Sequence, residues 1–88
     1  MKVIVTRQFE KDVNKELSKT MQLKLADIIE ELQKLSTRYS IKDIKKLKGY
    51  KTAYRIRMGD YRKGFILEEN IIKLSRVMDR KKIYRYFP

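Results

Sequence analysis

Ala53–Leu67 reads AYRIRMGDYRKGFIL, and the fold turns on this stretch. Apolar and basic residues alternate over Tyr54–Met58, as they do in a half-buried strand. Gly59-Asp60 then interrupts the pattern with the composition of a two-residue hairpin turn. With that turn, Met58 faces Tyr61, Arg57 faces Arg62, Ile56 faces Lys63, Arg55 faces Gly64 and Tyr54 faces Phe65. Directly opposed residues share a face of the sheet, and neighbours along a strand alternate. One face therefore collects Tyr54, Ile56, Met58, Tyr61 and Phe65. The other collects Arg55, Arg57 and Arg62. Like charges directly opposite one another oppose folding. Three guanidiniums around the bare backbone of Gly64 therefore suggest an anion cradle. A plain solvated sheet face is the simpler alternative. Lys63 falls on the apolar face, where it must snorkel from an edge or sit near Glu30 or Glu31.

Reading outward, Tyr61–Leu67 and Ile71–Met78 are further strands, with Glu69-Asn70 as the turn between them. Arg80–Phe87 suits a single helical turn. It places Arg80 and Tyr84 on one side and Ile83 and Phe87 on another. Toward the N-terminus, Ile41–Gly49 is basic and ambiguous, and Ser36–Ser40 breaks the pattern. Met21, Leu25, Ile28, Ile29, Leu32 and Leu35 recur at helical spacing after a cap at Ser18 or Thr20. Phe9, Val13 and Leu17 mark an earlier helix capped by Thr6, and Met1–Val5 is a short strand. The order is β-α-α-β-β-β. The expected class is α+β, with a small antiparallel sheet and an N-terminal helical hairpin packed on one face. Residues 1–88 form one domain.

Composition narrows the chemistry. The 88 residues carry 23 Lys+Arg and 11 Asp+Glu, with no His and no Cys. Without these two residues there is no Ser-His triad, no thiolate nucleophile and no Cys- or His-ligated metal site. No apolar run exceeds three residues, which argues against a membrane span or a secretory leader and favours the cytoplasm. Residues 1–40 have a net charge of +2 and residues 41–88 a net charge of +10; the second part also holds seven of the nine aromatics. A basic half rich in aromatics suits a polyanion, because phosphates attract Lys and Arg and unstacked bases stack on rings.

Four stretches carry a family resemblance: Lys46-Leu47-Lys48-Gly49, Tyr54-Arg55-Ile56-Arg57, Gly59-Asp60-Tyr61-Arg62 and Arg80-Lys81-Lys82-Ile83-Tyr84. In these the chain resembles the RelE/ParE superfamily of type II toxin–antitoxin toxins, on its RelE-like branch. The resemblance implies a ribosome-dependent endoribonuclease that enters the ribosomal A site and cuts mRNA. It further implies a metal-independent reaction without cofactor, in which a ribose 2′-hydroxyl attacks the adjacent phosphate. Carried over by position, Arg55, Arg57 and Arg62 hold the scissile phosphate, Arg80 assists the leaving side, and Tyr84 stacks or exchanges a proton. Lys46, Lys48 and Lys51 would contact RNA phosphates, with Asp79 beside the cleavage site. The implied partners are a cognate acidic antitoxin, the ribosome and mRNA, with DNA reached only through the antitoxin complex. No membrane partner is implied. The chain departs from the family pattern where Asp79 replaces a His found in many relatives, and where Arg55 and Arg57 replace the lysines of some. Arginine stays protonated, so the general base is not assigned, and Asp79 is a candidate for it by position alone. A ParE-like gyrase inhibitor without RNase activity and a non-catalytic RNA-binding module are the alternatives.

Overall fold

The computed structural model describes residues 1–37 and 40–88, so part of the break expected over Ser36–Ser40 lies outside the described residues. The elements are β1 (Lys2–Val5), α1 (Arg7–Glu16), α2 (Lys19–Lys34), β2 (Ile44–Lys46), β3 (Ala53–Met58), β4 (Tyr61–Glu68), β5 (Ile71–Asp79) and α3 (Ile83–Tyr86). The five strands form one sheet in the order β1-β5-β4-β3-β2. This is the α+β class expected, with two additions. Tight turns force β3, β4 and β5 to be antiparallel. No such turn links β1 to the sheet, and it pairs parallel to β5, so the sheet is mixed. Ile44–Lys46 adds an edge strand on β3. Three residues, two of them lysine, leave too short a pattern to mark a strand.

The two long helices, α1 and α2, each begin at a hydroxyl cap. Thr6 Oγ1 accepts from Phe9 N at 3.2 Å and itself donates to the Leu74 carbonyl at 2.9 Å, which ties α1 to β5. Of the two candidates for α2, Ser18 is the cap: its Oγ accepts from Met21 N at 3.2 Å. Phe9, Leu17, Leu25 and Leu32 are buried against Tyr54, Ile56, Met58, Phe65, Leu74 and Val77 of the sheet. Each large apolar side chain removed from water contributes about 1.5–3 kcal/mol.

The hairpin register follows the sequence reading in all five pairs, from Met58↔Tyr61 to Tyr54↔Phe65. Gly59 has φ +60, the left-handed conformation that the turn requires.

Lys63 does not snorkel. It is fully buried on the helix-facing side, opposite Ile56 and Val77, and its Nζ has no hydrogen-bond partner among the described residues. Burial pushes its ammonium down to about 8 from an ordinary 10.5; Glu31 opposes the shift and Lys24 adds to it. Below pH 8 both the folded and the unfolded chain hold this proton, and the burial penalty is fully present. Between pH 8 and 10.5 the unfolded chain holds it more tightly, so the penalty fades as pH rises. Lys63→Met is therefore expected to stabilise the fold at pH 7 by up to about 3 kcal/mol. Denaturant titrations from pH 7 to 10 should show that gain shrinking. A destabilised variant at pH 7, or a gain independent of pH, would refute the assignment.

Candidate functional site

Register across four strands builds the basic face. Lys45 of β2 pairs with Arg55 of β3, Arg55 with Gly64 of β4, and Gly64 with Arg76 of β5. Along the next row, Arg57 pairs with Arg62, and Arg62 with Met78. Adjacent strands lie about 4.8 Å apart, so Lys45, Arg55, Arg57 and Arg62 share one patch on the side away from the helical hairpin, while Arg76, on the far strand of the row, is ion-paired with Asp12. Lys45 and Arg76 were missed by the sequence reading. Lys45 lay in the ambiguous segment, and Arg76 reaches this face through a bulge. After Phe65↔Leu74 the register skips Ser75 before Gly64↔Arg76.

This face is not open throughout. Ala53, Met78, Ile83 and Phe87 form a second buried cluster, with Leu47 and Ile66 packed against it. The segment after β5 thus folds back over the sheet. The expectation that Gly64 floors an anion cradle is corrected: a Cβ there would lie 2.4 Å from the Phe87 ring. Glycine is needed at this position for the close approach of that ring. The remaining cradle is the row of guanidiniums toward the β3–β4 turn.

Arg62 is fixed at that turn. Its Nη1 donates to the Gly59 carbonyl at 2.8 Å and to the Tyr61 carbonyl at 2.9 Å. Arg80 docks at the same turn, its backbone N–H donating to the Asp60 carbonyl at 2.9 Å. Burial, and then the charges of Arg55 and Arg57, lower the pKa of the Arg62 guanidinium; Arg80 acts in the same direction and Tyr84 opposes it. All five residues assigned to phosphate chemistry from the sequence therefore act on one electrostatic neighbourhood. Among the described residues, none of the four arginines has a carboxylate ion-pair partner. The Nε of Arg55 is buried without a hydrogen-bond partner among the described residues. Such a cluster opposes folding and is relieved by bound negative charge.

The C-terminal pairs separate as expected. Ile83 and Phe87 are buried, while Tyr84 is 57% exposed and available to a ligand. Asp79 Oδ1 accepts from Lys81 N at 2.8 Å, which shapes the turn leading into α3. Lys46 pairs with Tyr54, so its side chain leaves β2 on the helix-facing side, opposite to Lys45. It is exposed there, as are Lys48 and Lys51 in the following loop, which carries the turn at Gly49. These three lysines form a group apart from the arginine row. Among the described residues no helix is long and apolar enough to cross a membrane.

No protein-family model matches the chain. It is 43% identical over 89 residues to Toxin RelE3 of Methanocaldococcus jannaschii, an alignment that spans the whole of both chains. The toxin in the crystal structure of the RelB-RelE antitoxin-toxin complex from Methanococcus jannaschii is similar in fold, with a TM-score of 0.79 and 41% identity. That match covers 97% of this chain and 99% of the other. An archaeal RelE-RelB complex from Pyrococcus horikoshii OT3 shares the fold at 23% identity, with a TM-score of 0.73 over 93% of this chain and 97% of that one. With its arginine row and the full-length identity to a RelE toxin, the chain belongs to the RelE family of toxins.

Proposed function

We propose that this chain is a ribosome-dependent endoribonuclease, cutting mRNA without a metal and held in check by an acidic antitoxin. The observation that carries the reading is the set of four arginines, none with a carboxylate partner among the described residues, that share one electrostatic neighbourhood with Tyr84. In the proposed reaction a ribose 2′-oxygen bonds to the adjacent phosphorus and loses its proton. The bond to the 5′-oxygen breaks, leaving a cyclic phosphate, and the departing oxygen gains a proton. Negative charge grows on the phosphoryl oxygens between these events. Arg55, Arg57 and Arg62 neutralise it, Arg62 from a position already fixed by two carbonyls. Arg80 sits at the leaving side. Tyr84 supplies the hydroxyl that moves a proton, and Asp79 holds the turn between them. Lys46, Lys48 and Lys51 contact rRNA phosphates without reading sequence.

A chain with no histidine and few candidate bases gains much from a substrate held in place. Positioning alone can lower a barrier by about 7–11 kcal/mol. The ribosome supplies that order, and its location places the protein in the cytoplasm. The antitoxin follows from the charge: a net of +10 over residues 41–88 attracts an acidic segment. The similar M. jannaschii toxin occurs in an antitoxin-toxin complex.

The test is purified protein on programmed ribosomes beside the same mRNA free in solution. Cleavage is expected within the A-site codon of the ribosome-bound message, with the naked RNA left intact over the same time. Rapid degradation of naked RNA, or binding to ribosomes without any cut, would refute the reading.

A further inference from the structure

We propose that Asp12, Arg76 and Tyr86 form a brace through which α1 sets the position of Tyr84, so that all three are positioning residues for the cleavage step. The inference rests on the assignment of Tyr84 to that step and goes beyond it. Tyr84 is more than half exposed and stands on α3, a helix of four residues with no side-chain cap. A single turn does not hold its own shape in water. Its placement must come from what grips its flanks. Ile83 and Phe87 anchor it to the sheet from below. They fix its height over the sheet but leave its outer side unsupported.

The outer side is gripped from α1. β1 covers the edge of β5 only as far as Leu74, which leaves the Val77 N–H at an open edge. Asp12, 3% exposed, takes this N–H at 3.1 Å. The same carboxylate receives the Arg76 Nε at 2.8 Å and its Nη2 at 3.1 Å, a forked pair, while Gln8 donates to it at 3.2 Å. Held in this way, the Arg76 guanidinium lies 5.3 Å from the centre of the Tyr86 ring. Tyr86 is two residues from Tyr84 on the same turn. A second tie runs parallel to the first, from Glu16 of α1 to Lys82 at the start of α3, at 3.4 Å. The tie that is buried at its root, and so rigid, is the one through Asp12.

Asp12 itself is a poor probe, because its loss strands Arg76 and an edge N–H and the fold would suffer. Tyr86 is 55% exposed and can be changed without opening the core. Single-turnover cleavage at saturating programmed ribosomes, with melting temperature measured in parallel, is the experiment. Tyr86→Ala should slow cleavage roughly 10- to 100-fold, the scale of a displacement of about 1 Å at a reacting group. Its ribosome affinity and melting temperature should stay near wild type. Tyr86→Phe keeps the ring beneath Arg76 and should cleave as wild type does. In a Tyr84→Phe background, Tyr86→Ala should cost nothing further, because the hydroxyl it positions is already gone. Tyr86→Ala at wild-type rate beside a slow Tyr84→Phe would overturn the brace alone. So would a loss that Tyr86→Phe shares, or one that persists in full in the Tyr84→Phe background. A Tyr84→Phe variant that cleaves at wild-type rate would overturn the site assignment and the brace with it.

Discussion

At saturating programmed ribosomes, Tyr84→Phe is expected to cleave mRNA about 10²- to 10⁴-fold more slowly than the wild type in a single turnover. The substitution removes one oxygen and keeps the ring. Stacking and shape are retained, so ribosome affinity should stay close to wild type. Tyr84 is an exposed residue outside both buried clusters, and among the described residues its hydroxyl makes no hydrogen bond that its loss would disturb. A fall in rate would then report proton transfer. Were the ring a stacking platform alone, Tyr84→Phe would be silent and Tyr84→Ala would weaken binding by about 1–3 kcal/mol. Melting curves for both variants should overlay that of the wild type.

The companion expectation concerns Arg62. Arg62→Ala should lower the single-turnover rate by about 10²- to 10³-fold, as loss of one pre-positioned donor to a developing oxyanion does. The two carbonyls at the β3–β4 turn hold this guanidinium before substrate arrives. In the proposed reaction it faces the charge that grows on the phosphoryl oxygens, so removing it should slow the chemical step beyond any loss of binding. The fold should tolerate the change or gain slightly, since Arg62 stands beside Arg55, Arg57 and Arg80 with no carboxylate partner among the described residues. Equal losses in binding and in rate, with no excess in the rate at saturation, would reduce Arg62 to a phosphate contact. Arg62→Lys should recover part of the rate, because a lysine keeps the charge but lacks the planar guanidinium whose Nη1 donates to both turn carbonyls.

Most of this site was legible in the hairpin. One glycine turn and the two-residue alternation of strands suffice to place Arg55, Arg57 and Arg62 together, and the observed register agrees pair by pair. Local rules reach that far because a tight turn leaves no freedom in register. They stop where contacts are long-range. The parallel pairing of β1 with β5 depends on a connection through two helices, which no turn signal encodes. Lys45 joins the face only because a three-residue edge strand docks on β3. Gly64 has the look of an anion floor from its neighbours, yet it makes room for Phe87, 23 residues away in sequence. Lys63 broke the alternation in the sequence and is a buried amine without a hydrogen-bond partner among the described residues. The conflict between pattern and residue type was visible; its resolution needed the packing of α2. Asp12 carried no signal at all, because a carboxylate four residues from Gln8 on a charged helix looks like ordinary solvated surface.

The central claim is that the arginine face cuts translated mRNA, and its most direct test is a map of mRNA 5′ ends after brief induction in growing bacteria. The account predicts growth arrest with new 5′ ends inside translated codons, lying in frame with the ribosome and absent from untranslated regions. The same map after induction of Arg62→Ala should lose those ends while the protein accumulates to the same level. Growth arrest with intact messages and altered DNA supercoiling, as a gyrase poison would cause, would contradict it.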